Sequence, residues 1–116
     1  MGKLGSGVSD HDLDQLTSLF QLLSDKTRVR ILLLLAEGER NVTALCQSLG
    51  LPQPTVSHHL GLLRGRNIIS NRRQGKQVHY TLNGTVHAGP GQELLLGLEN
   101  LAVRIFTKNS MREAER

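Results

Sequence analysis

The spacing of apolar residues changes from a helical to an alternating period after Asn67, and this change limits the possible folds more than any other feature. Before it, apolar residues recur three and four positions apart, which is the period of an amphipathic helix. After it, in residues 68–82, apolar and polar residues alternate in two runs around Gln74 and Gly75, which predicts a β-hairpin with a tight turn. The alternating residues are Ile69, Val78, Tyr80 and Leu82. The pattern therefore predicts a group of helices followed directly by a hairpin.

Five helices are predicted in total, four before the hairpin and one after it. The five segments are about residues 11–23, 25–36, 42–49, 54–65 and 94–105. Residues 83–92 contain three glycines and one proline and are expected to form a loop. The chain has 116 residues, which is enough for one domain with one modest core. That domain is expected to span residues 11–106, with a flexible N-terminal tail at 1–10 and a charged C-terminal tail at 107–116.

The third and fourth helices meet at a tight turn, Gly50-Leu51-Pro52, and together form a predicted helix-turn-helix. The hairpin that follows makes it a winged helix-turn-helix, in which the second helix enters the major groove of DNA and the wing lies along the backbone or minor groove. The predicted fold class is thus mainly α with a small β-hairpin (α+β), in the order α-α-α-α-β-β-α. We call residues 54–65 the recognition helix and residues 68–82 the wing.

Charge is distributed unevenly along the chain. Residues 40–92 contain six basic residues and no acidic residue, whereas the remaining residues carry eight basic and ten acidic groups. A solvated surface usually mixes both signs, so a segment without acids is better explained by a polyanionic partner.

The recognition helix has an apolar face and a polar face. Val56, Leu60 and Leu63 share the face expected to pack in the core, and His58 lies almost opposite. Short side chains that donate and accept hydrogen bonds suit the major groove, and an amide such as that of Gln53 can pair with adenine. His59 lies nearer the core edge and is expected to make a contact within the domain. The predicted DNA-binding residues are Gln53, Thr55, Ser57, His58 and Arg64 on this helix and Arg72, Arg73 and Lys76 on the wing.

The adjacent histidines, His58 and His59, favour neither metal binding nor catalysis. Neighbouring residues on a helix point about 100° apart, whereas helical metal ligands are spaced three or four residues apart. A catalytic nucleophile such as Ser57 would need a base and usually a carboxylate nearby, and this segment has no carboxylate. The sequence predicts no enzyme and no cofactor.

At this point the chain resembles the ArsR/SmtB family of bacterial winged-helix repressors over roughly residues 16–83. The resemblance is carried by LSDKTRVRILLLLAEGE at 23–39, LCQSLGLPQPTVSHHLGLLR at 45–64 and RRQGKQVHYTLN at 72–83. It implies a homodimer held by the first and last helices, which binds an inverted-repeat operator and releases it on binding an inducer. The apolar stripes of those helices are the predicted dimer interface, because a domain this small cannot cover both. They consist of Leu13, Leu16 and Phe20 in the first helix and Leu94, Leu98, Leu101 and Ile105 in the last.

The chain departs from the family's metal sensors. Soft-metal sensors in the family often place a C-x-C pair in the third helix, where this chain has Asn41-Val42-Thr43. The single cysteine, Cys46, is expected to be a small core residue, so no metal site is predicted. Two alternatives stay open: a metal-responsive repressor using His11, Asp12 and His87, and a winged helix that binds proteins rather than DNA.

Two further expectations concern the termini of the recognition helix and the location of the protein. Gln53 is expected to cap the helix with Pro54 as its first residue, and Asn67 is expected to adopt the left-handed conformation after its end. The start of the chain has no apolar stretch like that of a signal peptide, which favours the cytoplasm.

Overall fold

The computed structural model describes residues 7–84, 86–89 and 93–108, and it contains four helices and two small antiparallel sheets in this part of the chain. The first sheet has the strand order β1-β3-β2 and the second β4-β5-β6. The elements are α1 (Asp10–Leu22), α2 (Lys26–Ala36), β1 (Arg40–Asn41), α3 (Val42–Leu49), α4 (Gln53–Gly65), β2 (Ile69–Gln74), β3 (Gln77–Leu82), β4 (Val86–Gly89), β5 (Glu93–Gly97) and β6 (Ala102–Ile105).

The four predicted helices before the wing are confirmed, and local side chains explain where they begin. Ser9 and Asp12 form a reciprocal capping box at α1, and the side chains of Asp25 and Asn41 accept backbone N–H bonds at the starts of α2 and α3. Gly50 ends α3 with a φ of 66°. Glycine adopts this left-handed conformation at no steric cost, and the chain can therefore turn sharply into α4.

The expectation that Gln53 caps α4 is wrong, because Pro52 takes that position. Pro52 has extended backbone angles, and its carbonyl accepts hydrogen bonds from the N–H groups of Thr55 and Val56 at 3.1 and 3.2 Å. Proline suits this place since its fixed φ matches the N-cap and its missing N–H would have had no helical partner. The expectation for the other end is confirmed: Asn67 has a φ of 58°.

The wing is confirmed, and the structure adds a strand to it. β2 and β3 pair from Ile69↔Leu82 to Gln74↔Gln77, and Gly75, with a φ of 64°, lies in the two-residue turn. The additional strand, β1, pairs with the other side of β3 through Arg40 and Asn41. Two residues are too few for an alternating pattern, so this strand could not be predicted from local spacing.

The predicted last helix is wrong: Leu94, Leu98, Leu101 and Ile105 do not share a helical face. These residues belong to or flank β5 and β6, and part of the expected loop forms β4. Leu94 and Leu96 are buried and Leu95 between them is exposed, which is the period of a strand. Leu98 donates its N–H to the carbonyl of Leu101 at 2.8 Å, and this turn joins β5 to β6. A leucine-rich segment can fit both the helical and the strand period, and here the turn between Leu98 and Leu101 favours two paired strands.

The second sheet completes the hydrophobic core that the helices begin. Its buried residues Val86, Leu94 and Leu96 join the inward faces of the four helices and of β2. The turn after β5 also contacts α1, because Asn100 donates to the buried Asp12 carboxylate at 3.0 Å. The pKa of Asp12 is lowered, mainly by the backbone N–H of Ser9 and then by Asn100. The other core residues are Leu19, Leu22, Ile31, Leu32, Leu35, Leu45, Leu49, Val56, Leu60, Leu63, Ile68 and Ile69.

None of the helices in the described part of the chain is long and apolar enough to cross a membrane.

Candidate nucleic-acid interface

The recognition helix α4 is divided between core and solvent as its sequence predicts. Val56, Leu60 and Leu63 are at most 1% exposed, and they anchor the helix to the core. The predicted DNA-binding residues of this helix all lie on its solvent side. They are Gln53, Thr55, Ser57, His58 and Arg64. α4 thus presents small polar groups, one imidazole and one guanidinium, with no carboxylate of its own.

The two adjacent histidines have different environments. His58 is exposed, whereas the side chain of His59 is only 12% exposed and its Nδ1 lies 3.3 Å from Nη1 of Arg28. Nδ1 of His59 also lies 3.9 Å from Oδ1 of Asp25, the cap of α2. The expectation that His59 makes a contact within the domain is confirmed.

Arg28 connects the recognition helix to the junction of α1 and α2. Its Nε donates to the carbonyl of Leu22 at 2.6 Å while its Nη1 contacts His59. The pKa of Asp25 is lowered, first by the hydrogen bond from the backbone N–H of Arg28 and also by the electrostatic effect of His59. These contacts link α4 to the end of α1 and the start of α2.

The basic residues of the wing differ in their contacts. The side chains of Arg73 and Lys76 are exposed and have no hydrogen-bond or ion-pair partner among residues 7–84, 86–89 and 93–108. Arg72 instead forms an ion pair in which its Nη2 lies 2.7 Å from Oε1 of Glu39. Glu39 could not be assigned to this surface from the sequence, because it lies one residue before the acid-free segment and directly before the unpredicted strand β1.

The structure brings together no group of three or more histidine, cysteine, aspartate or glutamate side chains suited to a metal, as far as its described residues extend. Cys46 is partly buried and packs against the core. Asn41, at one of the positions where soft-metal sensors have cysteine, uses its side chain to cap α3. Of the alternative ligands, His11 lies 3.2 Å from Glu99, and His87 is exposed on β4.

Comparisons with known proteins agree with this geometry. The family model described as "Bacterial regulatory protein, arsR family" matches residues 25–71, from the cap of α2 to the first wing strand. The arsenical resistance operon repressor of Escherichia coli is 48% identical over 71 residues, which are 60% of this chain and 61% of that repressor. The regulator KmtR of Mycobacterium tuberculosis is 32% identical over 119 residues, with 88% of this chain and 92% of KmtR covered.

A solved structure is similar to this chain in fold and in sequence. It is a homodimeric winged helix-turn-helix DNA-binding domain from Mycobacterium bovis, described as a possible ArsR-family regulator. The TM-score is 0.59 at 34% identity, and the match covers 68% of this chain and 76% of that one.

Proposed function

Because the chain belongs to the arsR family of bacterial regulatory proteins, we propose that it is a homodimeric transcriptional repressor that binds an inverted-repeat operator. The recognition helix α4 enters the major groove, and the wing follows the backbone or the minor groove. A repressor acts where the bacterial chromosome lies, so its location is the cytoplasm. The chain spans 61% of the length of the E. coli repressor.

One observation carries this proposal: α4 is anchored by three buried residues, while its solvent side carries polar and basic side chains and no acid. Base edges in the major groove are read by such donors and acceptors, and phosphates are contacted by arginine and lysine. Gln53, Thr55, Ser57 and His58 are the base-reading candidates, and Arg64, Arg73 and Lys76 are the phosphate-contacting ones.

Replacing His58 with alanine is expected to reduce sequence discrimination. The loss is about 1–3 kcal/mol of binding free energy on a duplex that the wild-type protein selects from a random library, with little change on a random-sequence duplex. Fluorescence anisotropy on both duplexes measures the difference. Leu62→Ala serves as a control, because Leu62 is an exposed residue of the same helix without a hydrogen-bonding group. Equal losses on both duplexes would limit His58 to a phosphate contact or a structural role, and no binding by the wild-type protein would refute the proposed function.

The homodimer is supported by the exposed apolar face of α1 as well as by the M. bovis relative. Leu13 and Leu16 are partly exposed and Phe20 is 51% exposed, a large fraction for an aromatic side chain. A second copy of the chain would cover this face. Two recognition helices related by a two-fold axis would then read half-sites about 34 Å apart.

The repressor is expected not to respond to soft metals. A thiolate site needs two or three sulfur ligands close together, and each chain has one cysteine, packed against its own core. Cys46→Ser should bind the selected duplex as well as the wild-type protein does, and micromolar arsenite, cadmium or lead should not release it. If an anisotropy titration shows tenfold weaker binding with any of these ions, about 1.4 kcal/mol of coupling, and Cys46→Ser abolishes that effect, Cys46 is a sensor.

A further inference from the structure

Glu39 contacts the wing from outside it. Within residues 39–82 it is the only acidic residue. Its Oε1 lies 2.7 Å from Nη2 of Arg72 on β2 and 3.6 Å from Nδ1 of His79 on β3. Because Arg72 and His79 are directly paired across the two strands, one carboxylate bridges both strands of the hairpin.

The guanidinium of Arg72 also forms a second side-chain contact, a hydrogen bond within its own strand. Its Nη1 donates to Oε1 of Gln74 at 3.1 Å, along the same strand. The side chain of Arg72 is 58% exposed and that of Glu39 is 33% exposed, so the pair lies at the surface. A single substitution can therefore separate the two charges without disturbing the core.

The two adjacent arginines of the wing lie on opposite faces of the sheet. Arg72 pairs with His79, and Arg73 pairs with Val78. Residues next to each other on a strand alternate between faces, so Arg73 shares its face with Ile69 and Tyr80, which pack against the helices. Arg72 lies on the opposite, polar face with Glu39. The positive charge of Arg73 is thus presented on the side of the sheet where the helical layer lies, and that of Arg72 is neutralised on the other side.

We propose that Glu39 is an internal counter-ion that neutralises Arg72 and so sets how strongly the wing attracts DNA phosphates. This inference rests on the proposed function, since it assigns a role within DNA binding. An arginine that already has a carboxylate partner releases no DNA counterion on binding, so it adds nothing to the salt dependence of affinity. In the wild-type protein, Arg73 and Lys76 account for the contribution of the wing to that salt dependence. By neutralising Arg72, Glu39 limits the affinity of the wing for DNA of any sequence.

The experiment is a set of salt titrations by fluorescence anisotropy on a random-sequence duplex and on the duplex selected by the wild-type protein. Glu39→Gln is expected to steepen the slope of log affinity against log salt by about 0.9. If the freed Arg72 contact contributes nothing to affinity at about 1 M salt, this slope corresponds to about fivefold higher affinity near 0.15 M salt. Arg73→Ala and Lys76→Ala should each make the slope shallower by about 0.9. Arg72→Ala should leave it unchanged.

Two further variants separate this role from a general effect of charge. Glu39→Gln combined with Arg72→Ala should return the slope to its wild-type value, because the freed charge is then removed. Glu37→Gln is the matched control: it also removes one acid, but Glu37 pairs with Arg40 at 2.9 Å, and Nε of Arg40 is held by the carbonyl of Leu34 on α2. Its slope should equal that of the wild-type protein.

Several results would overturn the inference. One is an unchanged slope for Glu39→Gln, and another is a slope about 0.9 shallower for Arg72→Ala alone. Another is lower affinity for Glu39→Gln with an unchanged salt slope and a native circular dichroism spectrum. Glu39 would then only stabilise the conformation of the wing. These results all require a wild-type protein whose DNA binding depends on salt. If the wild-type protein binds neither duplex, the proposed function fails and this inference fails with it.

Discussion

Replacing Phe20 with glutamate is expected to convert the dimer into monomers and to weaken binding to an inverted-repeat operator by a factor on the order of 10² to 10⁴. Phe20 is 51% exposed on α1, next to the partly exposed Leu13 and Leu16. A carboxylate in this apolar face would lose its hydration on dimerisation without gaining a partner, which opposes association. A monomer can read one half-site only, so the gain from binding two linked sites is lost.

Sedimentation velocity and anisotropy on the selected duplex measure the two effects of Phe20→Glu together. Gln21→Glu is the matched control, because Gln21 is the next residue of α1, is exposed, and lies off the apolar stripe. Gln21→Glu should remain dimeric and bind as the wild-type protein does. A wild-type protein that is monomeric at micromolar concentration, or a Phe20→Glu variant that stays dimeric, would exclude α1 from the interface.

The sequence predicted the helical half of the domain well because several signals coincide there. In α4, the apolar period of Val56, Leu60 and Leu63 agrees with the turn at Gly50 and with Asn67 at the helix end. In the second wing strand, Val78, Tyr80 and Leu82 alternate with polar residues and predict the strand that is found. Where local pattern and turn residues give the same answer, a segment's structure can be read from its sequence.

Two parts of the structure could not be read in this way. Strand β1 is two residues long, and only its pairing with β3 makes it a strand. Glu39 therefore reaches Arg72 through a contact between residues 33 positions apart, which no local pattern reveals. The acid-free segment correctly marked the basic surface of α4 and the wing, but it overstated the free charge of the wing because its boundary falls one residue after Glu39.

The C-terminal segment was predicted wrongly because its leucines satisfy two periods. Leu94, Leu98 and Leu101 recur at helical spacing, while Leu94 and Leu96 are also two apart. The decision comes from burial against α2 and from the turn between Leu98 and Leu101, both of which depend on tertiary structure. A sheet thus occupies the place in the sequence where the resemblance implied a dimer helix. Of the two predicted interface helices only α1 is present in the described part of the chain, and its Phe20 is exposed.

Alanine substitutions along β5 are expected to distinguish the sheet from a helix by their effect on stability. Leu94 and Leu96 are at most 1% exposed, so replacing either should lower the free energy of unfolding by about 2–5 kcal/mol. Leu95 lies between them on the outer face and is 39% exposed, so Leu95→Ala should cost less than about 0.5 kcal/mol and serves as the matched control. On a helix, Leu96 would lie away from Leu94 and its truncation would cost little.

Urea unfolding followed by circular dichroism gives these three values and the corresponding value for Leu101→Ala. It is best done in the Phe20→Glu background, because dimerisation otherwise makes the measured stability depend on protein concentration. A large loss at Leu94 and Leu96 with none at Leu95 is the alternation that only a strand produces. A neutral Leu96→Ala together with a large loss at Leu101, which is only partly buried beside the turn, would instead restore the C-terminal helix. In that case the dimer interface would be assigned to α1 and the C-terminal helix together, as the sequence predicts.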